Sequence, residues 1–434
     1  MSLLRDLDYW DFAAVEDLVT DDAYPDPADP DAHVPAALNY GLMRSLKGGR
    51  PWLLLEQAAS AVSWRDVNVP KAPGRMRVDS LQALAHGSDG AMFFQWRQAR
   101  YGQEKFHSAM LGHRGESSRS FQETKAFGAE LQRLAAVRGT RVRSRVALVV
   151  DWDSWWGSSA TESLPSQRLN WLAQARAWHA ALHALGHPVD TVRAVGPFDG
   201  YDVVVVANLY IAEAAQAAAL VDFVARGGQL VVGPFSGVVD ATETVHDGGA
   251  PGPLRELLGV EVDEPWPIPD SQAERVHLDG VEFGNVVWSE WLDVNAGTEV
   301  LARYASGELA GRAAATRRPA PDGSGAAWYL SAVLEPAGML ALFREVLAAA
   351  ALPARSRTDS SLEAVTRSDA TTDYTFVLNH GGGELTVDVP EGAENLLTGD
   401  RTTGRLTLGR FGAAVLAAPR AGTAPFITLS DTTD

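Results

Sequence analysis

Apolar strands alternate with amphipathic helices along most of this chain, and the alternation ends near residue 360. In the first region, 1–137, leucines at helical spacing over Leu38–Leu46 precede a strand that begins at Pro51. A second helical stretch through Leu81 and Leu84 precedes an aromatic strand that starts at Ala91. Alternation of this kind places a helix between successive strands, which makes the strands parallel. The first region is therefore predicted to be α/β.

The second region, 143–352, repeats the alternation. A buried strand at 145–151 precedes a helix whose apolar face includes Trp171 and Trp178, and a second strand follows at 201–207. An Ala-rich helix and a third strand from Gly227 complete the pattern. We expect a doubly wound, flavodoxin-like α/β domain here.

The third region, 360–420, contains no helix signal. Residues 355–361 resemble a linker, and the polar residues at the C-terminus are expected to fray. Short alternating runs separated by Gly-rich turns predict a small antiparallel β domain. These runs are Tyr374–Leu378, Leu385–Val389, Leu406–Leu408 and Ala413–Leu416.

Length and charge limit the possible functions. A chain of 434 residues suggests two or three domains. The net charge of −18 argues against nucleic acid or an anionic membrane as a partner. No cysteine is present, which excludes thiolate chemistry and is compatible with the cytoplasm, where we expect the protein to reside. Neither a signal peptide nor a membrane-spanning run is recognised.

Glu56 is the most informative residue for chemistry, because it ends the apolar strand Leu53–Leu55. Side chains at the carboxyl ends of parallel barrel strands face the active site, so Glu56 is a candidate catalyst. The alternative is a carboxylate that reaches solvent where the strand ends.

Further candidates lie at the corresponding rim. The next strand ends in Trp96 and Arg97, and Glu104 and His107 follow it. Sugar sites combine aromatic faces with charged groups that bind hydroxyls, and Trp64 would add another such face. By spacing alone, Glu104 and His107 are an ordinary surface pair on a helix.

Other motifs favour neither a metal nor a cofactor. His179, His183 and His187 are spaced four residues apart, but no H-E-x-x-H arrangement is present, and we expect these histidines to be solvated. No G-x-G-x-x-G or Walker motif is found, so no cofactor is expected. Ser236, in Gly233-Pro-Phe-Ser-Gly, is interpreted as a turn residue.

A series of motifs resembles the glycoside hydrolase family 42 β-galactosidases in order and spacing, over nearly the whole chain. The motifs are Asp8-Tyr-Trp, Asp22-Ala-Tyr-Pro, Arg50-Pro-Trp-Leu-Leu-Leu-Glu-Gln, Ala61-Val-Ser-Trp-Arg, Lys71-Ala-Pro-Gly, Ala85-His-Gly-Ser-Asp, Phe94-Gln-Trp-Arg and Glu104-Lys-Phe-His. The resemblance implies a (β/α)8 barrel, a flavodoxin-like trimerisation domain and a small C-terminal β domain. It also implies hydrolysis of terminal β-galactosides with retention of configuration.

The resemblance assigns site residues as well. It places the nucleophile, which forms a covalent galactosyl intermediate, at Glu56. It places galactoside-binding residues at Trp64, Glu104, Lys105, Phe106 and His107.

One departure from the family concerns the second catalytic carboxylate. The family's acid/base glutamate follows an asparagine at the end of the fourth barrel strand, and we expect this chain to contain only the sixth (Val15–Thr20), seventh (Leu53–Glu56) and eighth (Ala91–Trp96) strands. The possible substitutes each occupy a family position that is not the acid/base; they are Glu16, Asp17, Asp21, Asp22 and Glu104. We therefore expect the chain alone to be inactive or to need a complementing N-terminal fragment.

The resemblance also implies a homotrimer. Trp152, Trp155 and Trp156, beside the first strand of the second region, could then close a neighbour's active site or pack on their own barrel. Two other functions stay open: an α-L-arabinopyranosidase of the same fold, and a non-catalytic sugar-binding or oligomerising remnant.

Overall fold

The structure, a computed structural model, describes residues 3–160, 164–352, 354 and 361–420. It divides into two compact units: the first contains residues 1–143, 186–188 and 355–434, and the second contains residues 144–185 and 189–354. The described residues contain no helix long and apolar enough to cross a membrane. Residues 355–360 of the linker expected at 355–361, and the C-terminal residues 421–434, lie outside the described residues.

The elements are numbered along the chain. The helices are α1 (Tyr9–Val15), α2 (His33–Ser45), α3 (Arg75–Ala85), α4 (Arg119–Arg133), α5 (Trp152–Ala160), α6 (Trp171–Ala184), α7 (Ala214–Ala225), α8 (Arg255–Leu258) and α9 (Pro336–Ala349). The strands are β1 (Thr20–Asp22), β2 (Trp52–Glu56), β3 (Ser88–Ala91), β4 (Arg141–Val142), β5 (Val146–Val149), β6 (Val189–Val192), β7 (Val203–Val206), β8 (Gln229–Val232), β9 (Val260–Pro267), β10 (Glu274–Leu278), β11 (Val281–Asn285), β12 (Trp288–Val294), β13 (Glu299–Tyr304), β14 (Ala313–Pro319), β15 (Ala326–Leu330), β16 (Leu362–Ser368), β17 (Thr372–Asn379), β18 (Leu385–Asp388), β19 (Glu394–Asn395), β20 (Arg405–Leu408) and β21 (Ala413–Pro419).

In the first unit, β1, β2 and β3 form a parallel sheet in that order. The predicted strand at Leu53–Glu56 is confirmed, since β2 begins one residue earlier. The prediction of the sixth barrel strand at Val15–Thr20 is wrong. Val15 ends helix α1, and the strand is Thr20–Asp22. The prediction followed the apolar residues that precede the strand, whereas the residues that pair with β2 are polar.

The eighth barrel strand, predicted at Ala91–Trp96, is displaced in the same way. The regular strand β3 is Ser88–Ala91. Pairing continues irregularly beyond it, since the backbone N–H of Met92 donates to the carbonyl of Leu54 (2.8 Å) and that of Phe94 to the carbonyl of Gln57 (3.0 Å). The aromatic residues therefore follow the strand and lie at its carboxyl end.

One surface of this region stays open. β1 and β3 each have a single partner strand among the described residues. Leu18 and Leu55 are 46% exposed, and Met92 is 39% exposed. Large apolar side chains of a parallel sheet are normally covered on both faces.

The C-terminal β structure belongs to the same unit. It comprises a five-stranded sheet in the order β19-β21-β17-β16-β4 and the antiparallel pair of β18 and β20. Its core packs against α3, with Met76 and Leu81 beside Phe376 and Val415. The small antiparallel β region predicted here is confirmed, although β4, β16 and β19 were not predicted as strands.

Polar side chains anchor this β structure. Glu363 on β16 lies between two buried histidines: Oε1 is 2.6 Å from His86 Nε2, and Oε2 is 2.9 Å from His380 Nε2. Gln82 Nε2 also donates to Glu363 Oε2 (3.0 Å). The Arg367 guanidinium, fully buried, donates to the backbone carbonyls at 84, 88 and 140 and to the side chains of Asp89 and Thr140. All five of its N–H groups are thereby satisfied.

The second unit contains a nine-stranded sheet in the order β11-β10-β13-β14-β15-β8-β7-β5-β6. Its parallel part, β15-β8-β7-β5-β6, has the strand order of flavodoxin-like folds, so the predicted doubly wound core is confirmed. The antiparallel extension through β10, β11, β13 and β14 was not predicted, and a separate pair is formed by β9 and β12. Every residue of β5, β7 and β8 is buried.

One expectation about histidines is wrong. His179, His183 and His187 are buried, at 2%, 8% and 5% exposure, and not solvated. His179 and His183 lie on α6, whose buried face is wider than the apolar pattern indicated.

Candidate active site

Glu56 lies at the carboxyl end of β2, half-buried. Its backbone carbonyl accepts a hydrogen bond from the N–H of Ala23 (2.9 Å), which ties β2 to the residue that follows β1. The phenol of Tyr24 donates a hydrogen bond to Glu56 Oε1. Burial of the phenol, and then its bond to the Glu56 carboxylate, raise the pKa of Tyr24 well above its ordinary value. Tyr24 therefore remains a hydrogen-bond donor across the physiological pH range.

The end of β1 brings a second carboxyl group close by. Asp22 pairs with Glu56 in the register of β1 and β2. Burial, and then the charge of Glu56, raise the pKa of Asp22. Burial raises the pKa of the preceding Asp21 to about 6. By contrast, Glu16 and Asp17 are exposed before the strand begins.

An aromatic wall, formed by Tyr24, Trp64, Phe94 and His107, lies beside Glu56. The Trp64 ring is 55% exposed and stacks on His107, with centroids 5.1 Å apart and an interplanar angle of 30°. The edge of Tyr24 meets Trp64 at 4.8 Å, and Phe94 meets His107 edge-on at 5.1 Å. Tyr24 thus contacts both the Glu56 carboxylate and an indole ring that is partly exposed to solvent.

The segment before His107 forms a 3-10 turn, Gln103–Phe106. Glu104, Lys105 and Phe106 are exposed on it, and the Lys105 ammonium lies 5.1 Å from the Phe106 ring centroid. The charge of Glu104 is close enough to contribute to the raised pKa of Tyr24. The interpretation of Glu104 and His107 as a surface pair is wrong for His107, which is completely buried.

Trp96 and Arg97 are exposed, and the backbone around them pairs with the segment at 110–111. No described contact joins either side chain to Glu56. Of the predicted residues, the structure brings together Glu56, Trp64, Glu104 and His107, with Tyr24 as the link.

Two residues at this site, Tyr24 and Arg65, were not predicted as site residues from the sequence. Tyr24 belongs to the motif Asp22-Ala-Tyr-Pro, and its position two residues past the end of β1 is the sequence signal for a role at the site. Arg65 follows Trp64 and donates from Nη2 to the backbone carbonyl of Tyr24 (2.6 Å). No pattern in the sequence pairs these two residues, because they are 41 positions apart.

Side chains of the second unit bind the backbone near the position where doubly wound domains hold ligands. Such domains bind ligands where the strand order reverses, which here is between the ends of β5 and β7. Ser154 Oγ accepts from the N–H of Ile211 (3.1 Å), and Trp171 Nε1 donates to the carbonyl of Asn208 (3.1 Å). Within the described ranges, no group of three or more His, Asp or Glu side chains is placed to hold a metal ion.

The three tryptophans of this unit differ in environment. Trp152 and Trp155 are buried, and Trp155 stacks on Trp171 with centroids 4.9 Å apart. Trp156 is 38% exposed. Ser236 is buried in a turn, where its hydroxyl bonds the carbonyl of Gly233 (2.9 Å) and the N–H of Leu209 (3.0 Å), so it is not a nucleophile on an exposed elbow.

A carboxylate at the carboxyl end of a parallel strand, beside an exposed indole, is typical of the glycoside hydrolases. Comparison with known proteins narrows the class. Residues 1–134 match the family described as β-galactosidase, residues 144–353 its trimerisation domain, and residues 361–418 its C-terminal domain. The chain belongs to the glycoside hydrolase family 42 β-galactosidases.

Individual relatives agree with this membership. A β-galactosidase of Arthrobacter sp. is 37% identical over 409 residues, which are 94% of this chain and 58% of that protein. A β-galactosidase of Geobacillus sp. (strain Y412MC61) is 36% identical over 394 residues, 90% of this chain and 58% of that protein. The crystal structure of a β-galactosidase from Bacillus circulans sp. alkalophilus superimposes with a TM-score of 0.91 at 30% identity, covering 96% of this chain and 62% of that one. The chain thus spans less than two thirds of the length of these relatives.

Proposed function

We propose that this chain supplies the nucleophile side of a retaining β-galactosidase active site, with Glu56 as the nucleophile. The observation that carries the proposal is the position of Glu56 at the end of β2, where Tyr24 donates to one carboxylate oxygen and contacts the partly exposed ring of Trp64. The family of the chain supports a terminal β-galactoside as substrate.

The geometry suggests how the carboxylate would act. Tyr24 occupies Oε1, so we assign attack on the anomeric carbon to Oε2. Attack gives a covalent galactosyl-Glu56 ester, which water then hydrolyses with overall retention. A retaining enzyme needs a second carboxylic acid about 5–5.5 Å away to protonate the leaving oxygen and later activate water.

The substrate would be held mainly by the aromatic wall. The exposed face of Trp64 suits the apolar C–H face of a galactosyl ring. Glu104 and Lys105 would bind hydroxyls, Phe106 would cover the ring edge, and buried His107 would support Trp64 from behind. We assign Trp96 and Arg97 to the outer rim.

We further propose that the acid/base group comes from an N-terminal barrel fragment. Of the chain's own candidates, Glu16 and Asp17 are exposed ahead of β1, and Asp21 is buried within it. Asp22 and Glu104 lie closer to Glu56, but the family resemblance places both at positions that are not the acid/base. The uncovered apolar side chains of the β1–β3 sheet, including Leu55 and Met92, support a complementing barrel half as the partner.

Azide rescue tests the nucleophile directly. The chain would be extended at its N-terminus with the preceding part of the Arthrobacter β-galactosidase, and Glu56→Gly would be assayed with a nitrophenyl β-galactoside. Loss of the nucleophile should lower kcat by at least about 10⁴-fold, a loss of the size measured for other catalytic nucleophiles. Added azide should then restore turnover and give the α-galactosyl azide, because it attacks the face that Glu56 vacated.

The control is Glu116→Gln, an exposed carboxylate on another turn, which should keep the parent kcat. A β-galactosyl azide product would assign Glu56 to acid/base catalysis and contradict the proposal. Kinetics on nitrophenyl α-L-arabinopyranoside, measured side by side, decide between galactosidase and arabinopyranosidase. Sugar binding by the extended chain without turnover would indicate a non-catalytic remnant.

We also propose a homotrimer formed through the second region, within the three-domain division 1–137, 143–352 and 360–420, and a cytoplasmic location. The match to a trimerisation domain supports the trimer. Of the three tryptophans, only Trp156 is exposed enough to reach a neighbour's site, since Trp152 and Trp155 are buried in their own unit.

The role of Trp156 is tested by Trp156→Ala, with Val221→Ala on the exposed side of α7 as the control. Trp156→Ala should weaken galactose binding in the trimer, and Val221→Ala should not. A trimeric mass in sedimentation with unchanged sugar affinity would remove the inter-subunit role of Trp156.

A further inference from the structure

Arg65 binds the backbone of Tyr24, the residue whose phenol donates to the proposed nucleophile. Its Nη2 donates to the carbonyl oxygen of Tyr24 (2.6 Å), and its Nε lies 3.4 Å from the carboxylate of Asp26. The guanidinium side chain is 20% exposed. One planar, always charged group thus bridges both ends of the three-residue segment Tyr24–Asp26.

The position of Arg65 is itself fixed. The side-chain Oδ1 of Asn68 accepts from the backbone N–H of Arg65, and Asn68 Nδ2 donates to the carbonyl of Arg65, both at 3.0 Å. These reciprocal bonds close the loop into a rigid turn. The Arg65 side chain therefore extends from a backbone that is already ordered, so less conformational entropy is lost when it binds Tyr24.

The chain neighbour of Arg65 holds the same tyrosine by its ring. Trp64 meets the Tyr24 ring edge at 4.8 Å, while Arg65 binds the Tyr24 carbonyl. Tyr24 lies in the irregular segment that follows β1, one residue past the last backbone bond to β2, which Ala23 donates to Glu56. A small rotation of that backbone would carry the phenol oxygen away from Glu56. The two adjacent residues together set where the phenol lies.

We propose that Arg65 is a positioning residue: through the Tyr24 carbonyl and Asp26 it keeps the Tyr24 phenol on Glu56 Oε1. Any effect of Arg65 on catalysis rests on the proposed function, in which Glu56 is the nucleophile. The positioning itself is a property of the free protein and can be measured without turnover.

The test is NMR of the chain labelled with [ζ-13C]tyrosine. Tyr24→Phe identifies the Tyr24 resonance, and Glu56→Ala gives the change in chemical shift for complete loss of the bond. Arg65→Ala should reproduce at least half of that change at pH 7. Arg65→Lys should produce a smaller change, because a single ammonium can replace one of the two contacts. Arg77→Ala is the matched control, since Arg77 pairs with Glu130 at 2.7 Å with a similarly covered side chain.

A Tyr24 resonance that stays at its wild-type position in both Arg65→Ala and Arg65→Lys overturns the inference, whatever the enzyme does. If Arg65→Ala does not fold, Arg65→Lys and Asn68→Ala decide it, because each loosens the same bridge.

Catalytic consequences are measured separately. In the N-terminally extended chain, the rate of inactivation by a 2-deoxy-2-fluoro-galactosyl fluoride should fall about tenfold in Arg65→Ala at unchanged inhibitor affinity, as expected for a misoriented nucleophile. If the unmutated extended chain forms no adduct, the proposed function fails, while the NMR result on Arg65 stands independently.

Discussion

The first unit contains a parallel sheet, and the second contains parallel strands within a mixed sheet. Similar apolar runs in the sequence predict both sets of strands, but the two sets differ in how completely they are covered. In the second unit, β5, β7 and β8 are flanked on both sides, and every residue in them is buried. In the first unit, β1 and β3 are edge strands among the described residues, and Leu55 is 46% exposed. The first sheet is therefore less covered than the second, and Glu56 ends its middle strand, β2.

The difference teaches that an apolar strand is not by itself evidence of a completed core. The second unit is stabilised by its own apolar packing. The first unit combines apolar packing with buried polar contacts that join α3 to the C-terminal β structure, such as those of Glu363 and Arg367. We infer that the exposed apolar side chains around Glu56 are a surface to be covered by further barrel strands.

The largest expected effect comes from placing the same charge in the two sheets. Val205→Asp would bury an unpaired carboxylate in β7 and should cost at least about 5 kcal/mol of unfolding free energy, or prevent folding. Leu55→Asp should change that free energy by less than about 0.5 kcal/mol, as for an exposed position. Urea denaturation of both variants measures the contrast. Similar losses in the two would break the comparison.

The next effect concerns the polar anchor of the first unit. Glu363→Ala removes the acceptor shared by His86, His380 and Gln82, which leaves their buried donors without that partner. We expect the free energy of unfolding to fall by about 3–4 kcal/mol in Glu363→Ala. Glu384→Ala, an exposed glutamate in a loop of the same β structure, is the control and should be nearly neutral. Equal stability of the two variants in denaturant would show that this anchor contributes little.

A somewhat smaller effect should appear as a pH dependence of the second unit. Burial raises the pKa of Glu290 to about 7, despite bonds from Tyr329, from Trp288 and from the backbone N–H of Phe235. The protonated form is therefore favoured in the folded state. Its stabilising contribution is fully present below the ordinary glutamate pKa of 4.5 and is lost as the pH rises through 7.

From the size of this shift, the loss should reach about 3 kcal/mol. Glu290→Gln, which cannot ionise, should lack this part of the slope when unfolding free energies are compared between pH 4.5 and 8. A slope in Glu290→Gln that matches the parent would assign the dependence to other groups.

Much of the fold was accessible from the sequence because its signals are local. The apolar run before Glu56 predicted β2 to within one residue, and the short alternating runs predicted most of the C-terminal strands. The strands β1 and β3 were misplaced because their paired residues are polar, as Asp21, Asp22, Ser88 and Asp89 are. Strands that end at a polar site lack the hydrophobic pattern on which such a prediction depends.

The site was predicted in part for the same reason. Glu56 and Trp64 could be singled out from a strand end and a motif, but the burial of His107 depends on stacking with Trp64, 43 residues away in the sequence. The bonds from Tyr24 to Glu56 and from Arg65 to Tyr24 likewise join segments that are distant along the chain. Pairing of this kind is set by tertiary structure, and no local pattern records it.

The central claim is that the open sheet of the first unit carries a glycosyl-bond nucleophile that becomes usable when the rest of the barrel covers it. Peptide mass mapping after exposure to a 2-deoxy-2-fluoro-galactosyl fluoride tests this most directly, on the chain alone and on the N-terminally extended chain. The account predicts a fluoro-galactosyl adduct on Glu56 in the extended chain and none in the chain alone. An adduct on another carboxylate, or one that persists in Glu56→Gln, would contradict it.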